Sequence, residues 1–185
     1  MQMLARAGAR IAVHTSLPNP AEIERAGHAY LAGFSGPPYF EGEASRDAFL
    51  DRVRRYASRD GFRLLVATEG DEPIGIGLAV IAHPGDWWRD QVAAQLTPDE
   101  VATWLGDSVL EVVHLAVRVE SRGHGLGAAL HDLLLADAAA PTAILSADTR
   151  QTPARTLYAT RGWQILRDRF ALGDGDPVVV LVRRL

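Results

Sequence analysis

Three glycines within five residues connect a strongly predicted strand to a strongly predicted helix. The connection reads Val117-Arg118-Val119-Glu120-Ser121-Arg122-Gly123-His124-Gly125-Leu126-Gly127-Ala128. Glycines let the backbone approach a ligand closely and turn its N–H groups toward it, and the start of a helix adds the positive end of a dipole. The turn therefore predicts a site for a phosphate-bearing ligand.

The turn fits a dinucleotide-binding motif. Gly123, Gly125 and Ala128 satisfy G-x-G-x-x-G/A. Asp148 ends the next predicted strand about 20 residues further on, where such folds place the acid that binds a ribose. A doubly wound sheet usually begins with that turn, however, whereas here an antiparallel hairpin precedes it. A Rossmann-type dinucleotide-binding protein stays open as an alternative.

The same turn also supplies a second motif, Arg122-x-x-Gly125-x-Gly127, directly after a central strand. This motif resembles Q/R-x-x-G-x-G/A, the signature of the GCN5-related N-acetyltransferase (GNAT) superfamily. A later segment is similar to that family's A-x-x-L-Y-x-x-x-G-F, and it reads Ala154-x-x-Leu157-Tyr158-x-x-x-Gly162-Trp163. Both motifs occur in the family's order within residues 11–185, so the chain resembles a GNAT-like acyltransferase.

The resemblance implies that acetyl-CoA is the acyl donor and that no metal is needed. In this family the donor lies in a gap between two parallel strands that splay apart, here near Val119 and Ala147. The backbone of three strand residues would pair with the pantetheine arm, namely Leu115, Ala116 and Val117. The expected phosphate-binding residues are Arg122, Gly123, His124, Gly125, Leu126, Gly127 and Ala128.

The implied reaction is direct transfer of the acetyl group to an amine of a small molecule or protein. An alkylamine with a pKa near ~10.4 must lose a proton first, and the leaving thiolate benefits from an O–H donor. Tyr158 matches the family position of that acid, and Glu111 matches the general base of some members. Strand alternation places His114 on the face opposite Glu111, so Glu111, His114 or water stays open as the base. An alcohol acceptor, and a regulator that binds acyl-CoA without turnover, also stay open.

Periodicity and caps predict the elements around these residues. The predicted order is β α α β β (short α) β α β α β β, a mixed α/β sheet with hairpins at both ends and a βαβ unit between them. The resemblance implies a single GNAT-like domain over residues 1–185, with an insertion at 83–108 between the third and fourth strands. The predicted helix starts are Asn19-Pro20, Thr97-Pro98 and Thr152-Pro153, and a second helix is predicted to begin after Ser45. Tyr30 belongs to the buried stripe of the first helix, the helix after the glycine turn is predicted to end at about Ala139, and four arginines of the second helix are expected in solvent, namely Arg52, Arg54, Arg55 and Arg59. The two predicted hairpins turn at Gly70-Asp71-Glu72-Pro73 and at residues 173–177.

Composition excludes several classes of protein. The chain has 185 residues, 48% of them hydrophobic, no cysteine and a net charge of −4. A disulfide framework and a thiolate metal site are therefore excluded. A mildly acidic chain without a basic block is not expected to bind nucleic acid. We expect no secretory signal, no membrane span and a cytoplasmic location.

Aromatic residues give the first indication of the acceptor. Residues 37–41 lie between the first two predicted helices, a segment that forms a wall of the acceptor site in the family. A second aromatic pair, Trp87-Trp88, lies near the start of the insertion. Rings beside Glu41 and Glu43 could receive a cationic amine. The alternative is that these rings fill the core or form a contact in a homodimer.

Overall fold

The structure is a computed structural model that describes residues 2–3, 8–37, 39–171 and 176–185. Pro38, in the expected acceptor segment, and residues 173–175, in the predicted turn of the last hairpin, lie outside the described residues. The chain divides into two compact units, residues 1–80 with 114–136 and residues 81–113 with 137–185. Strands β4 (Glu72–Ala82) and β5 (Val109–Val117) contribute residues to both units.

The strands of the first unit pair antiparallel. Strand β1 (Gln2–Met3) pairs with β2 (Ala9–His14), β2 with β3 (Arg63–Glu69), and β3 with β4. The β3–β4 hairpin confirms the prediction made from two apolar runs separated by a Gly-Asp-Glu-Pro turn. Strands β3 and β4 are buried along most of their length because both are nearly continuous in apolar residues.

Three helices lie within the described part of the first unit. Helix α1 (Pro20–Phe34) begins at the predicted cap, since the side chain of Asn19 accepts a hydrogen bond from the N–H of Glu22 at 3.0 Å. Helix α2 (Glu43–Tyr56) begins slightly before the predicted start after Ser45. A 3-10 turn, residues 119–121, then leads through the glycine turn into α5 (Leu126–Leu135).

Helix α5 is shorter than the sequence predicts. The sequence predicts a helix to about Ala139, but Ala136 leaves the helix with an extended ψ of 131°. Asp137 then adopts a φ of 52°, which a non-glycine residue adopts only rarely. The apolar pattern continues past Leu135, but this change of backbone direction ends the helix.

The second unit contains the parallel strand pair. Residues 110–112 of β5 pair in parallel with residues 143–145 of β6 (Thr142–Asp148). Strand β8 (Val178–Arg184) pairs antiparallel with β6 and with β7 (Gln164–Phe170). Parallel and antiparallel pairs together make a mixed sheet, which confirms the predicted fold class and differs from a doubly wound parallel sheet.

The insertion forms two helices, although the sequence predicts one. Helix α4 (Pro98–Trp104) has the predicted capping box between Thr97 and Glu100. Helix α3 (Trp87–Ala93) was not predicted, and it buries Val92 in the core of the second unit. Helix α6 (Pro153–Thr160) follows β6 and begins at the predicted Thr152 cap.

Candidate active site

The glycine turn is open where a ligand would approach it. Gly123 and Gly125 have φ values of +77° and +82°, in the left-handed region that glycine favours. A Cβ built on either residue meets no atom within 4 Å. Gly125 is the N-cap of α5 and provides no side-chain hydrogen bond to the first helical turn. The backbone N–H groups of that turn therefore form a suitable site for an anion.

Close packing against β4 holds α5 in place behind the turn. A Cβ on Gly75 would lie 3.1 Å from Cδ1 of Leu130, and a Cβ on Gly77 would lie 3.2 Å from Cδ1 of Leu134. At the far end of the helix, Nη1 of Arg63 donates hydrogen bonds to carbonyl groups of the last turn, one of them at 2.6 Å. This cation also complements the negative end of the helix dipole. The packing and the hydrogen bonds together hold α5, and with it the glycine turn, in position.

The side chain of Arg122 donates hydrogen bonds from the glycine turn to backbone carbonyls of β5 and α1. Its Nε donates to the carbonyl of Val117 at 2.9 Å, and its Nη2 donates to the carbonyl of Gly33 at 3.4 Å. Nδ1 of His124 lies 2.7 Å from the carbonyl oxygen of Arg122, to which it donates. The structure thus gives Arg122 a role in holding the loop, while its expected contact with phosphate stays a prediction.

The end of β5 packs directly against α1. A Cβ on Gly33 would lie 2.5 Å from the Cβ of Ala116, so only glycine fits the helix at this point. The N–H of Arg118 donates to the carbonyl of Ile74 in β4 at 2.9 Å. Residues 115–117, the expected partners of the pantetheine arm, therefore lie on a strand end that is held from two sides.

His114 lies among aromatic rings of the first unit. The centroid of its ring is 5.4 Å from those of Tyr30 and Phe49 and 5.9 Å from that of Phe34, and all three rings meet it edge to face. Nη1 of Arg52 lies 2.9 Å from Nε2 of His114. A guanidinium can only donate, so Nε2 must accept and the proton of the neutral ring is on Nδ1.

Charge and burial keep this imidazole neutral. Burial, followed by the positive charge of Arg52, lowers the pKa of His114 from 6.5 to about 3. The residue is partly exposed as a whole, but its ring is enclosed by the neighbouring rings. A neutral ring whose acceptor nitrogen is already occupied is a poor general base. The geometry therefore disfavours His114 among the predicted bases.

Opposite charges act on the hydroxyl of Tyr30. Burial, followed by the negative charge of Glu41, raises the pKa of Tyr30 to about 12, and the charge of Arg52 opposes that change. Tyr39, beside Glu41, meets Phe34 edge to face with centroids 5.2 Å apart. The expected acceptor segment therefore contributes both a ring and a carboxylate to this cluster.

The two predicted catalytic residues both lie in the second unit. Glu111 is 7% exposed on β5, opposite Ile144 in the parallel register with β6. Tyr158 is 5% exposed on α6, and its ring meets that of Trp163 edge to face at 5.7 Å. Each thus presents a polar group from a largely buried position. Their roles in catalysis stay predictions.

Asp148, which would bind the ribose in a dinucleotide-binding protein, forms hydrogen bonds within the chain instead. Asp148 accepts hydrogen bonds from Nε and the backbone N–H of Arg150, each at 2.8 Å. These contacts with Arg150 hold the pKa of Asp148 below its ordinary value. A carboxylate bound in this way is less available to a ribose hydroxyl.

Arg52 and Tyr30 were missed as site residues by the sequence analysis. The sequence predicts Arg52 in solvent with the other arginines of α2, but the side chain is partly buried and donates a hydrogen bond to His114. Its position three residues after Phe49, on the same face of a helix, was the available signal. Tyr30 was assigned only to the buried stripe of α1.

No group of three or more His, Asp or Glu side chains among the described residues could hold a metal ion. Over the same part of the chain, no helix is long and apolar enough to cross a membrane.

Solved structures with this fold include several acetyltransferases. The chain is 15% identical to a mosquito arylalkylamine N-acetyltransferase like 5b, with a TM-score of 0.63 over 95% of this chain and 100% of that one. It is 17% identical to Arabidopsis thaliana NAA60 in complex with a bisubstrate analogue, with a TM-score of 0.61 over 95% and 98% of the two chains. A chain of the NatC complex bound to Gag peptide and CoA is 15% identical, with a TM-score of 0.60 over 95% and 98%. At these identities, the similarity concerns the fold alone.

Sequence comparison gives the family. No curated protein sequence matches the chain. The model of the acetyltransferase (GNAT) family matches residues 28–163, which is more than half of the chain and includes both motifs. The chain therefore belongs to the acetyltransferase (GNAT) family.

Proposed function

We propose that the protein is an N-acetyltransferase that moves the acetyl group of acetyl-CoA directly to an amine. The observation that carries this proposal is the open glycine turn at the start of α5, placed after β5 in a chain of this family. Acyl-CoA-dependent acetyl transfer is the general reaction of the family, and the turn provides an anion site that such a donor needs.

The residues of the turn fit a pyrophosphate. Side-chain atoms are absent at Gly123 and Gly125, and the space above both positions is open. Oγ of Ser121, just before the turn, is buried and has no hydrogen-bond partner among the described residues. We infer that the N–H groups from Gly123 to Ala128 bind the pyrophosphate and that the backbone of residues 115–117 pairs with the pantetheine arm.

The catalytic roles follow from the chemistry of the transfer. Acetyl-CoA supplies a thioester, whose carbonyl carbon forms the new C–N bond as the C–S bond breaks. The carboxylate of Glu111, directly or through water, accepts the proton that the amine loses. The hydroxyl of Tyr158 donates a proton to the departing sulfur. Because Arg52 occupies Nε2 of His114, the base is Glu111 rather than His114.

The acceptor is an amine of a small molecule or a peptide. Two of the similar folds described above bind a bisubstrate analogue or a peptide together with CoA, which supports an amine acceptor. The cluster of Tyr30, Phe34, Tyr39 and Glu41 supports the same class, since rings and a carboxylate attract a cationic amine.

Thermal melting and thiol release test the proposed function. Acetyl-CoA at a hundredfold excess over its Kd should stabilise the protein by about 2.7 kcal/mol, whereas NAD should not. Free CoA thiol should then appear when a suitable amine is added. Stabilisation by acetyl-CoA with no thiol release for a broad panel of amines would indicate a non-catalytic regulator. Stabilisation by NAD alone would support the dinucleotide alternative.

A further inference from the structure

Unlike Arg46 and Arg54 on the same helix, Arg52 has no acidic partner among the described residues. Arg46 pairs with three carboxylates, those of Glu24, Glu43 and Asp47. Arg54 pairs with Asp51 at 2.9 Å. Among the described residues, the only hydrogen-bond partner of Arg52 is the imidazole of His114, and no carboxylate pairs with it. A cation beside buried aromatic rings is thus left without a counter-charge.

The contact with His114 orients the guanidinium without neutralising it. It uses one of the five N–H donors of Arg52 and leaves the others without a partner among the described residues. Burial and the charge of Arg52 keep the pKa of His114 low, so the imidazole is neutral and does not offset the positive charge of Arg52. A carboxylate in place of His114 would have neutralised Arg52. The arrangement instead keeps a fixed, planar cation available to an anion.

The carboxylate of Glu41 adds a negative charge to the same cluster. Glu41 and Arg52 act with opposite sign on the hydroxyl of Tyr30, and no ion pair joins the two among the described residues. Two unpaired, opposite charges around one ring suit a ligand that carries both an ammonium and a carboxylate. A single-charge amine would leave the guanidinium unmatched.

We propose that Arg52 binds a carboxylate of the acceptor, so that the acceptor is an amine which also carries a carboxylate group. This inference rests on the proposed function, because it assumes that the cluster around His114 receives the acceptor. His114 immediately precedes residues 115–117, the strand end assigned to the pantetheine arm, which places Arg52 beside that end of β5. Guanidinium matches a carboxylate with two parallel hydrogen bonds, which an ammonium cannot do.

Matched pairs of amines test this inference. Phenylalanine is compared with 2-phenylethylamine, and leucine with 3-methylbutylamine, by kcat/KM for thiol release in wild type and in Arg52→Gln. Glutamine can still donate to Nε2 of His114 but has no charge. For each pair, the ratio is kcat/KM for the amino acid divided by kcat/KM for the amine that lacks the carboxylate. This ratio should fall by about 10- to 100-fold in Arg52→Gln, as expected for the loss of a charged hydrogen bond. The change in this ratio is the measure, because the carboxylate also alters the pKa of the amine.

Two further variants control for structural effects. Arg54→Gln removes a charge from the same helix where Asp51 already neutralises it, and it should leave the ratio unchanged. Arg52→Lys keeps the charge but loses the planar pair of donors, so it should keep only part of the preference. Peptide amides that begin with Asp or with Asn distinguish an acidic peptide from a free amino acid as the source of the carboxylate.

Binding of product provides a readout that does not depend on turnover. N-acetylphenylalanine should raise the melting temperature of wild type more than its amide does, and Arg52→Gln should remove that difference. An unchanged ratio in Arg52→Gln, or equal stabilisation by the acid and the amide, would overturn the inference and leave Arg52 as a residue that only positions His114. Failure of acetyl-CoA to bind would overturn the proposed function instead, and the melting comparison would still decide the role of Arg52.

Discussion

Nη1 of Arg52 donates a hydrogen bond to Nε2 of His114 at 2.9 Å. The direction of this bond fixes the tautomer of the imidazole, because a guanidinium has no acceptor. With its acceptor occupied and its pKa lowered to about 3 by burial and by Arg52, His114 stays neutral at physiological pH. Its contribution is therefore to the order of the aromatic cluster rather than to proton transfer.

The lowered pKa predicts a dependence of stability on pH. His114 has a pKa of about 3 when folded and 6.5 in its ordinary state, so the unfolded chain binds a proton first as the pH falls. Its stabilising effect is complete above about pH 6.5 and is lost as the pH falls toward 3. The neighbouring Tyr30, whose pKa is raised to about 12, does not titrate in this window.

His114→Gln should remove this effect, because an amide oxygen can still accept from Arg52 but does not titrate. The free energy of unfolding of wild type relative to His114→Gln should fall by up to about 1.4 kcal/mol for each pH unit below about 6.5. Urea denaturation from pH 4.5 to 7.5 measures the difference. A difference that does not change with pH would contradict the assignment of a neutral, desolvated ring.

Tyr158→Phe tests the proposed acid. Removing the hydroxyl should lower kcat by about 10²–10⁴-fold, because the departing sulfur loses its proton donor. The edge-to-face contact with Trp163 should remain, since it depends on the ring. Stabilisation by acetyl-CoA should change little. Turnover at the wild-type rate would show that Tyr158 only packs in the second unit.

Glu111→Gln tests the proposed base. The variant should lose most activity at low pH, where the amine is protonated, and regain part of it as rising pH deprotonates the amine in solution. The measurement is the pH profile of kcat/KM for wild type and variant. A loss that is equal at every pH would assign Glu111 a structural role and leave desolvation of the substrate to activate the amine.

Local sequence signals predicted the helix starts, whereas they did not predict contacts between residues that are distant in the chain. The caps at Asn19, Thr97 and Thr152 depend on hydrogen bonds within three residues, and all three occur as expected. Arg52 and His114 are separated by 62 positions in the chain. Only the packing of α2 near β5 shows that this arginine turns toward His114 and away from solvent.

Elements that depend on tertiary packing were missed for a related reason. Helix α3 has no side-chain cap, and its Val92 is buried only because the core of the second unit covers it. The two motifs of the candidate site could be predicted because each is a local pattern, one of closely spaced glycines and the other around Tyr158. The motifs do not show which charges lie around the proposed acceptor site, since Glu41 and Arg52 come from separate segments of the chain.

In the glycine turn, Gly125→Val should abolish stabilisation by acetyl-CoA. A branched side chain would enter the open space above Gly125, where the pyrophosphate is proposed to bind. The φ of +82° also strains any L residue, so the variant should melt at a lower temperature without ligand. Gly70→Val is the matched control, because Gly70 has a φ of +59° and equally open surroundings, but lies in the β3–β4 turn. Both variants should lose stability to a similar extent, and only Gly70→Val should still be stabilised by acetyl-CoA. Stabilisation of Gly125→Val to the wild-type extent would place the donor's phosphates elsewhere.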